Sequence, residues 1–398
     1  MRVSTSQINM RAVNSMLDQQ SKLSDIQTQL ATGKRIASPS DDPIASAKSI
    51  GINQNISVAE QYQKNSDVVQ SRLQLEDSTL ENITLVINRV RELAIQGNNS
   101  SVTDNDRKLL ASEAQQRLNE LISLANTRDT NGEYIYSGFQ SNNQPFSKLS
   151  TGGFLYSGDD GQRMIQISPS RTIALGDNGV DVFQKMLNGN GHFSVLDNPS
   201  NTGSGLIDGG SLTNGSSWVQ DTYNITFITD TSFEVRDSGG GLVLASAYTE
   251  GSLISFNGVN TSIKGSPIAG DSFSLAPSIN QDLFTTIENI INAFQSPTTG
   301  QGGAAKLHNG VNRFLNDIDQ SLDVMHSIRS GVGVRLNSLE TQKELNSSLI
   351  INNQSELSDL QDIDYIEAVS NLNLQRLGLE SAQKTYMQIQ GLSLFDYL

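Results

Sequence analysis

The 398-residue chain contains no cysteine, which excludes disulfide bridges and thiolate metal sites and leaves either redox compartment open to it. Aromatic residues are scarce at 6%, with one tryptophan, Trp218, and the hydrophobic fraction of 36% is below that of an ordinary globular protein. Asn, Gln, Ser and Thr fill positions where a compact enzyme carries Leu, Val or Ala, so elongated helical units are favoured over one thick core. No run is apolar enough to span a membrane, and the opening residues hold no apolar h-region, so a cleaved secretory signal is not expected. Positive charge is also short. With 27 Lys+Arg against 42 Asp+Glu the formal net charge is −15, and such a surface repels nucleic-acid phosphates and anionic headgroups. Neither nucleic acid nor membrane insertion is expected.

What the chain has instead is helical periodicity at both ends. From Ser4 to Thr32 there is no Pro or Gly, and Val13, Met16, Leu23 and Leu30 fall on heptad spacing interrupted by Gln20 and Gln27. So thin a stripe predicts a helix that is marginal alone and depends on packing. The basic, proline-punctuated loop GKRIASPSDDP follows at 33–43; its Asp42 reads as an N-cap and Pro43 as the first residue of a new helix. Further on, Val69, Leu73, Leu80, Ile83, Ile87, Val90 and Ala94 keep 4-3 spacing, broken only by Glu76. GNNSSVTDND, 97–106, predicts a reversal and a capping box of Thr103 with Asp106. The helix after it carries small residues, Ala111, Ala114 and Ala125 with Leu118 and Leu121, and is expected to lie close to the helix before it.

Beyond residue 134 Gly, Ser, Thr and Asn rise and apolar residues alternate, as in YNITFITDTSFEVRD at 223–237, which predicts strands. Helical periodicity returns near Gln281 and runs through Val311, Leu315, Ile318, Leu322, Met325, Val332, Leu336 and Leu339, with a local bend or loosening, rather than a stop, predicted at Gly331 and Gly333. A last stretch carries Leu357, Leu360, Ile363, Ile366, Val369, Leu372 and Leu377 among many polar residues. The expected fold is therefore α+β: an elongated helical rod of N- and C-terminal coiled-coil helices with an inserted β-rich domain. The expected segments are an N-terminal assembly helix and loop (1–43), two rod parts (44–134 and 281–345), a β-rich outer domain (135–280) and a C-terminal assembly helix (346–398). Val13, Met16, Leu23 and Leu30 with Leu360, Ile363, Val369 and Leu377 are the expected assembly residues.

Catalytic patterns are hard to find. His192, His308 and His326 are far apart and fit no metal motif, and His326 reads as an interfacial residue of the helical seam. Asp159, Asp160, Asp177 and Asn178 have the look of calcium-loop carboxylates, but turn chemistry accounts for them and none fits the twelve-residue calcium loop. GGG at 239–241 leads into strand-like LVLASAY and reads as a hairpin turn rather than a phosphate loop. Lys34 and Arg35, between two helices that need external packing, are placed to set register between subunits or to meet an acidic partner. No cofactor is expected and no enzyme activity is indicated.

LATGKRIASPSDDPIASA, 30–47, resembles the segment that ends the first terminal helix in the flagellin superfamily, with Asp41, Asp42 and Pro43 starting the next helix. LANTRDTNGEYIYSGFQSNNQPF at 124–146, the opening MRVSTSQ and the closing MQIQGLSLFDYL are similar, more narrowly, to its hook–filament junction family. The resemblance covers about the first 150 and last 120 residues by motif placement; the segment from about 190 to 277 departs from it. It implies a structural, homo-oligomeric subunit at the flagellar hook–filament junction, with terminal helices in an inner coiled-coil layer. Hook-associated protein 1, flagellin and an export chaperone would be its partners, and the flagellar type III system its route out of the cell. The alternative it leaves open is a flagellin, the bulk filament subunit.

Overall fold

The computed structural model describes residues 5–150, 152–213, 218–300 and 302–395, so the opening MRVS and the closing DYL lie outside the described residues. The helices are α1 (Thr5–Thr32), α2 (Pro43–Gly97), α3 (Asp104–Ala125), the short α4 (Gly179–Phe183), α5 (Leu283–Gln295), α6 (Gly303–Gln361) and α7 (Tyr365–Phe395). Local chemistry sets most of their ends. Gly33 stops α1 in the left-handed conformation (φ +71°) that glycine adopts without strain. Asp42 Oδ1 accepts the backbone N–H of Ala45 at 3.0 Å to open α2, and Thr103 with Asp106 forms a reciprocal capping box on α3. Asp364 caps α7, its Oδ1 accepting from the backbone N–H groups of Ile366 and Glu367 at 2.9 and 3.2 Å.

The chain forms two compact units, Met1–Asn65 with Thr341–Leu398 and Ser66–Glu340. These boundaries differ from the expected assembly segments, 1–43 and 346–398: the first unit also includes the start of α2, which buries Ala45, Ile52, Ile56 and Ala59 and is tied to α6 by Lys48–Glu356 at 2.7 Å.

In the second unit α2, α3, α5 and α6 share one apolar core built on Leu73, Leu80, Leu118, Ile287, Val311 and Ile318. The backbone of α3 lies closer to α5 than to the preceding helix, while Ala111, Ala114 and Ala125 share one core with residues of both; α2 is joined to α3 by Arg89–Glu113 at 2.8 Å. Arg329 of α6 reaches Asp77 and Glu81 of α2, both at 2.9 Å, and Arg91 of α2 reaches Asp319 of α6 at 2.8 Å. At Gly331 and Gly333 the helix does not stop, and α6 continues through both. Glycine keeps the N–H that proline lacks, Val332 between them is fully buried, and nothing crowds either α-carbon.

The segment 135–280, expected as one β-rich domain, divides between two cores. Short hairpins pair Phe146–Lys148 with Phe154–Tyr156 and Met164–Ser168 with Arg171–Ala174. Phe146 and Ile167 of these hairpins join Tyr136 and Phe183 in the helical core, where the Phe146, Phe183 and Phe284 rings lie 5.0–5.5 Å apart. From Phe193 onward a separate core forms on Phe193, Tyr223, Phe227, Phe273 and Leu275. Its five-stranded antiparallel sheet runs in the order 242–247, 232–236, 223–229, 272–277, 193–197, and Trp218 packs against it, 5.5 Å from Phe193 and 5.9 Å from Tyr223.

Candidate assembly surface

Residues of α1 pack along α7 within the first unit. Asn9, Ala12, Met16, Gln19, Leu23, Ile26 and Leu30 of α1 are half-buried at a 3-4 repeat and thus form one face of a coiled-coil helix, with Gln29 half-buried beside its end. Of the expected assembly residues, Met16, Leu23 and Leu30 lie on this face, while Val13 is exposed beside it. The seam of α7 is Ala368, Leu372, Gln375, Leu379, Ala382 and Tyr386, again at 4-3 spacing. Val369 and Leu377 are not on it. They are exposed on the opposite side of α7 with Ile366 (85% exposed), Leu374 and Met387, since residues eight to eleven apart return to one helical face. α7 is therefore apolar on two faces, one covered by α1 and one bare among the described residues. On α1, Met10, Val13 and Leu17 form a comparable exposed strip. Register within the pair has a polar mark: the side chain of Gln19 lies over Gly378, 3.8 Å from where a Cβ there would stand.

The basic loop and the α6–α7 break hold each other. Lys34 and Asp362 form an antiparallel bridge, the Arg35 backbone N–H donates to Gln361 O at 2.7 Å, and the Ile363 N–H donates to Gly33 O at 3.0 Å. The Arg35 guanidinium donates to Leu360 O at 2.9 Å and lies 3.6 Å from Asp42. Asp41 accepts from the backbone N–H groups of Ala37 and Ser38, folding the loop on itself. Leu360 and Ile363, expected as assembly residues, are half-buried at this clamp. Of the two cations expected to set register between subunits, the Arg35 guanidinium is thus engaged within one chain, while Lys34 takes part through its backbone bridge. Periodicity does not disclose the break at 362–364, although Asp364 with Glu367 three residues on is a cap signature legible in the sequence.

Residues with a possible chemical role are dispersed. His192 and His326 are exposed; His308 pairs through Nδ1 with Asn98 Oδ1 at 2.6 Å, and burial followed by Arg107 lowers its pKa. Asp159 accepts from the backbone N–H groups of Phe139 and Gly161, Asn178 caps α4, and Asp177 is paired with Arg335. Among the described residues no group of three or more His, Cys, Asp or Glu is placed to hold a metal ion, and no helix is long and apolar enough to cross a membrane.

Residues 3–141 match the bacterial flagellin N-terminal helical region. The crystal structure of flagellar hook-associated protein 3 from Legionella pneumophila is 36% identical to this chain, with a TM-score of 0.75, covering 78% of this chain and 98% of that one. The chain belongs to the hook-associated protein 3 family. The Salmonella typhimurium member of the family is 23% identical over 397 residues, 100% of this chain and 99% of that protein. Likeness to a phase 1 flagellin, from Salmonella naestved, reaches 135 residues at 31% identity, 34% of this chain and 27% of the flagellin.

Proposed function

We propose that this protein is a structural subunit of the bacterial flagellum that joins hook to filament, and that copies associate through the terminal helix pair. The observation that carries the mechanism is the second apolar face of α7, where Ile366, Val369, Leu374 and Leu377 stay exposed after α1 has covered the first. A stripe of that kind is buried when helices of neighbouring copies pack on it, at about 25 cal/mol per Å² of apolar area removed from water. The proposed role is one of packing and not of catalysis. Hook-associated protein 1 is the proposed neighbour on the hook side and flagellin on the filament side. An export chaperone would hold the C-terminal segment, about 352–398, before delivery by the flagellar type III system.

A flagellin is the second reading, and the partial reach of that likeness counts against it. Immunogold labelling of isolated flagella with an antibody to the 193–277 region separates the two. Gold confined to the hook–filament boundary is the expected result; gold along the whole filament would make the protein a filament subunit.

A further inference from the structure

Glu76 is the position at which the apolar seam of α2 is interrupted, and assembly makes no use of it. Its side chain is buried, 1% exposed. Oε1 accepts the backbone N–H of Asp177 at 2.9 Å, which fastens the segment before α4 to α2. Oε2 has no hydrogen-bond partner among the described residues, and a Cβ on Gly176 would stand 3.3 Å from it. The charged groups around it make most of their hydrogen bonds elsewhere, although Arg72 Nε is also buried without a partner among the described residues. Arg72, one turn back on α2, gives Nη1 to Asp129 and Glu133 at 2.8 and 3.2 Å and Nη2 to Tyr134 O at 3.2 Å. Arg335 of α6 gives its guanidinium to the carboxylate of Asp177, itself a second negative group beside Glu76. The remaining polar neighbour is the fully buried hydroxyl of Tyr136. Arg72 and Arg335 favour the charged form, but burial and the neighbouring carboxylate of Asp177 outweigh them, and burying an ionised carboxylate with one oxygen unpaired costs far more than burying the neutral acid.

We propose that Glu76 is a neutral carboxylic acid in the folded protein, its Oε1 holding the 175–178 segment to α2 while Oε2 stays buried and unpaired. Burial, reinforced by the charge of Asp177, raises its pKa from 4.5 to about 8. A folded-state pKa above the unfolded one means that the folded protein binds this proton more tightly. Its stabilising contribution is complete below the ordinary glutamate range and is lost as pH rises to about 8.

The test is Glu76→Gln in the full chain, since the amide keeps an acceptor for the Asp177 N–H and is neutral at every pH. Urea unfolding of both proteins is followed as pH is raised from the ordinary glutamate range to beyond the raised value. The wild-type midpoint should fall progressively relative to the variant and level off above it; a constant offset across the range overturns the proposal. The wild type also answers alone, by NMR titration with the glutamate carboxyl carbons labelled. One resonance titrating well above the rest is expected, and every resonance titrating in the ordinary range would overturn the assignment even if the variant failed to fold.

Discussion

At Gly97, the last residue of α2, a Cβ would stand 2.3 Å from the ring of Phe294 in α5. The ring is fully buried, with no free end to swing aside. Gly97→Ala should therefore cost about 1–3 kcal/mol, the usual range for overpacking a filled core, read as a lower urea midpoint with an unchanged slope. The same scale shows how far single positions of the candidate surface were legible. Met16, Leu23 and Leu30 satisfy two heptad registers, one taking Val13, Gln20 and Gln27 as the alternate positions and the other Ala12, Gln19 and Ile26. Val13 favours the first. The second holds, and in it Gln19 lies over Gly378. That choice depends on a residue some 360 positions away, which no local periodicity encodes.

Among whole elements, helix starts with a capping side chain were legible, as at Asp42 and Thr103. The join between α6 and α7 was not, because Leu360, Ile363 and Ile366 keep an even three-residue spacing across it and hide the interruption. Gly331 and Gly333 reduce helix propensity without removing a hydrogen bond, and α6 passes through them without stopping. Replacing either by Ala should raise stability by about 0.5–1 kcal/mol, since the added methyl meets nothing within contact distance. A rise in thermal midpoint for each single variant is the expected measurement. A fall would mean that α6 needs the flexibility these glycines confer.

For the whole molecule, the α+β class and the helical character of both chain ends were legible from periodicity alone. The division of the β-rich segment was not. Phe146 and Phe183 join the helical core through contacts with Phe284, more than one hundred residues downstream, and Tyr136 packs against Phe183. Alternation within short strands says that a face is buried and not which core buries it. Two-faced character in α7 was equally concealed, because Ile363, Val369, Leu372 and Leu377 look like one thin stripe until α1 is seen to cover only part of it.

The central claim is that the bare face of α7 is where copies join, and it is tested most directly by placing charge there without touching the α1-facing seam. The measurement is filament growth by cells whose only copy of the protein carries Ile366→Asp and Leu377→Asp, side chains 85% and 61% exposed. The purified variant is checked in parallel by far-UV circular dichroism and Trp218 fluorescence. The account predicts unchanged spectra, because neither residue supports the fold of the single chain, together with hooks that carry no filament. Filaments of normal number and length on cells bearing the variant would contradict it.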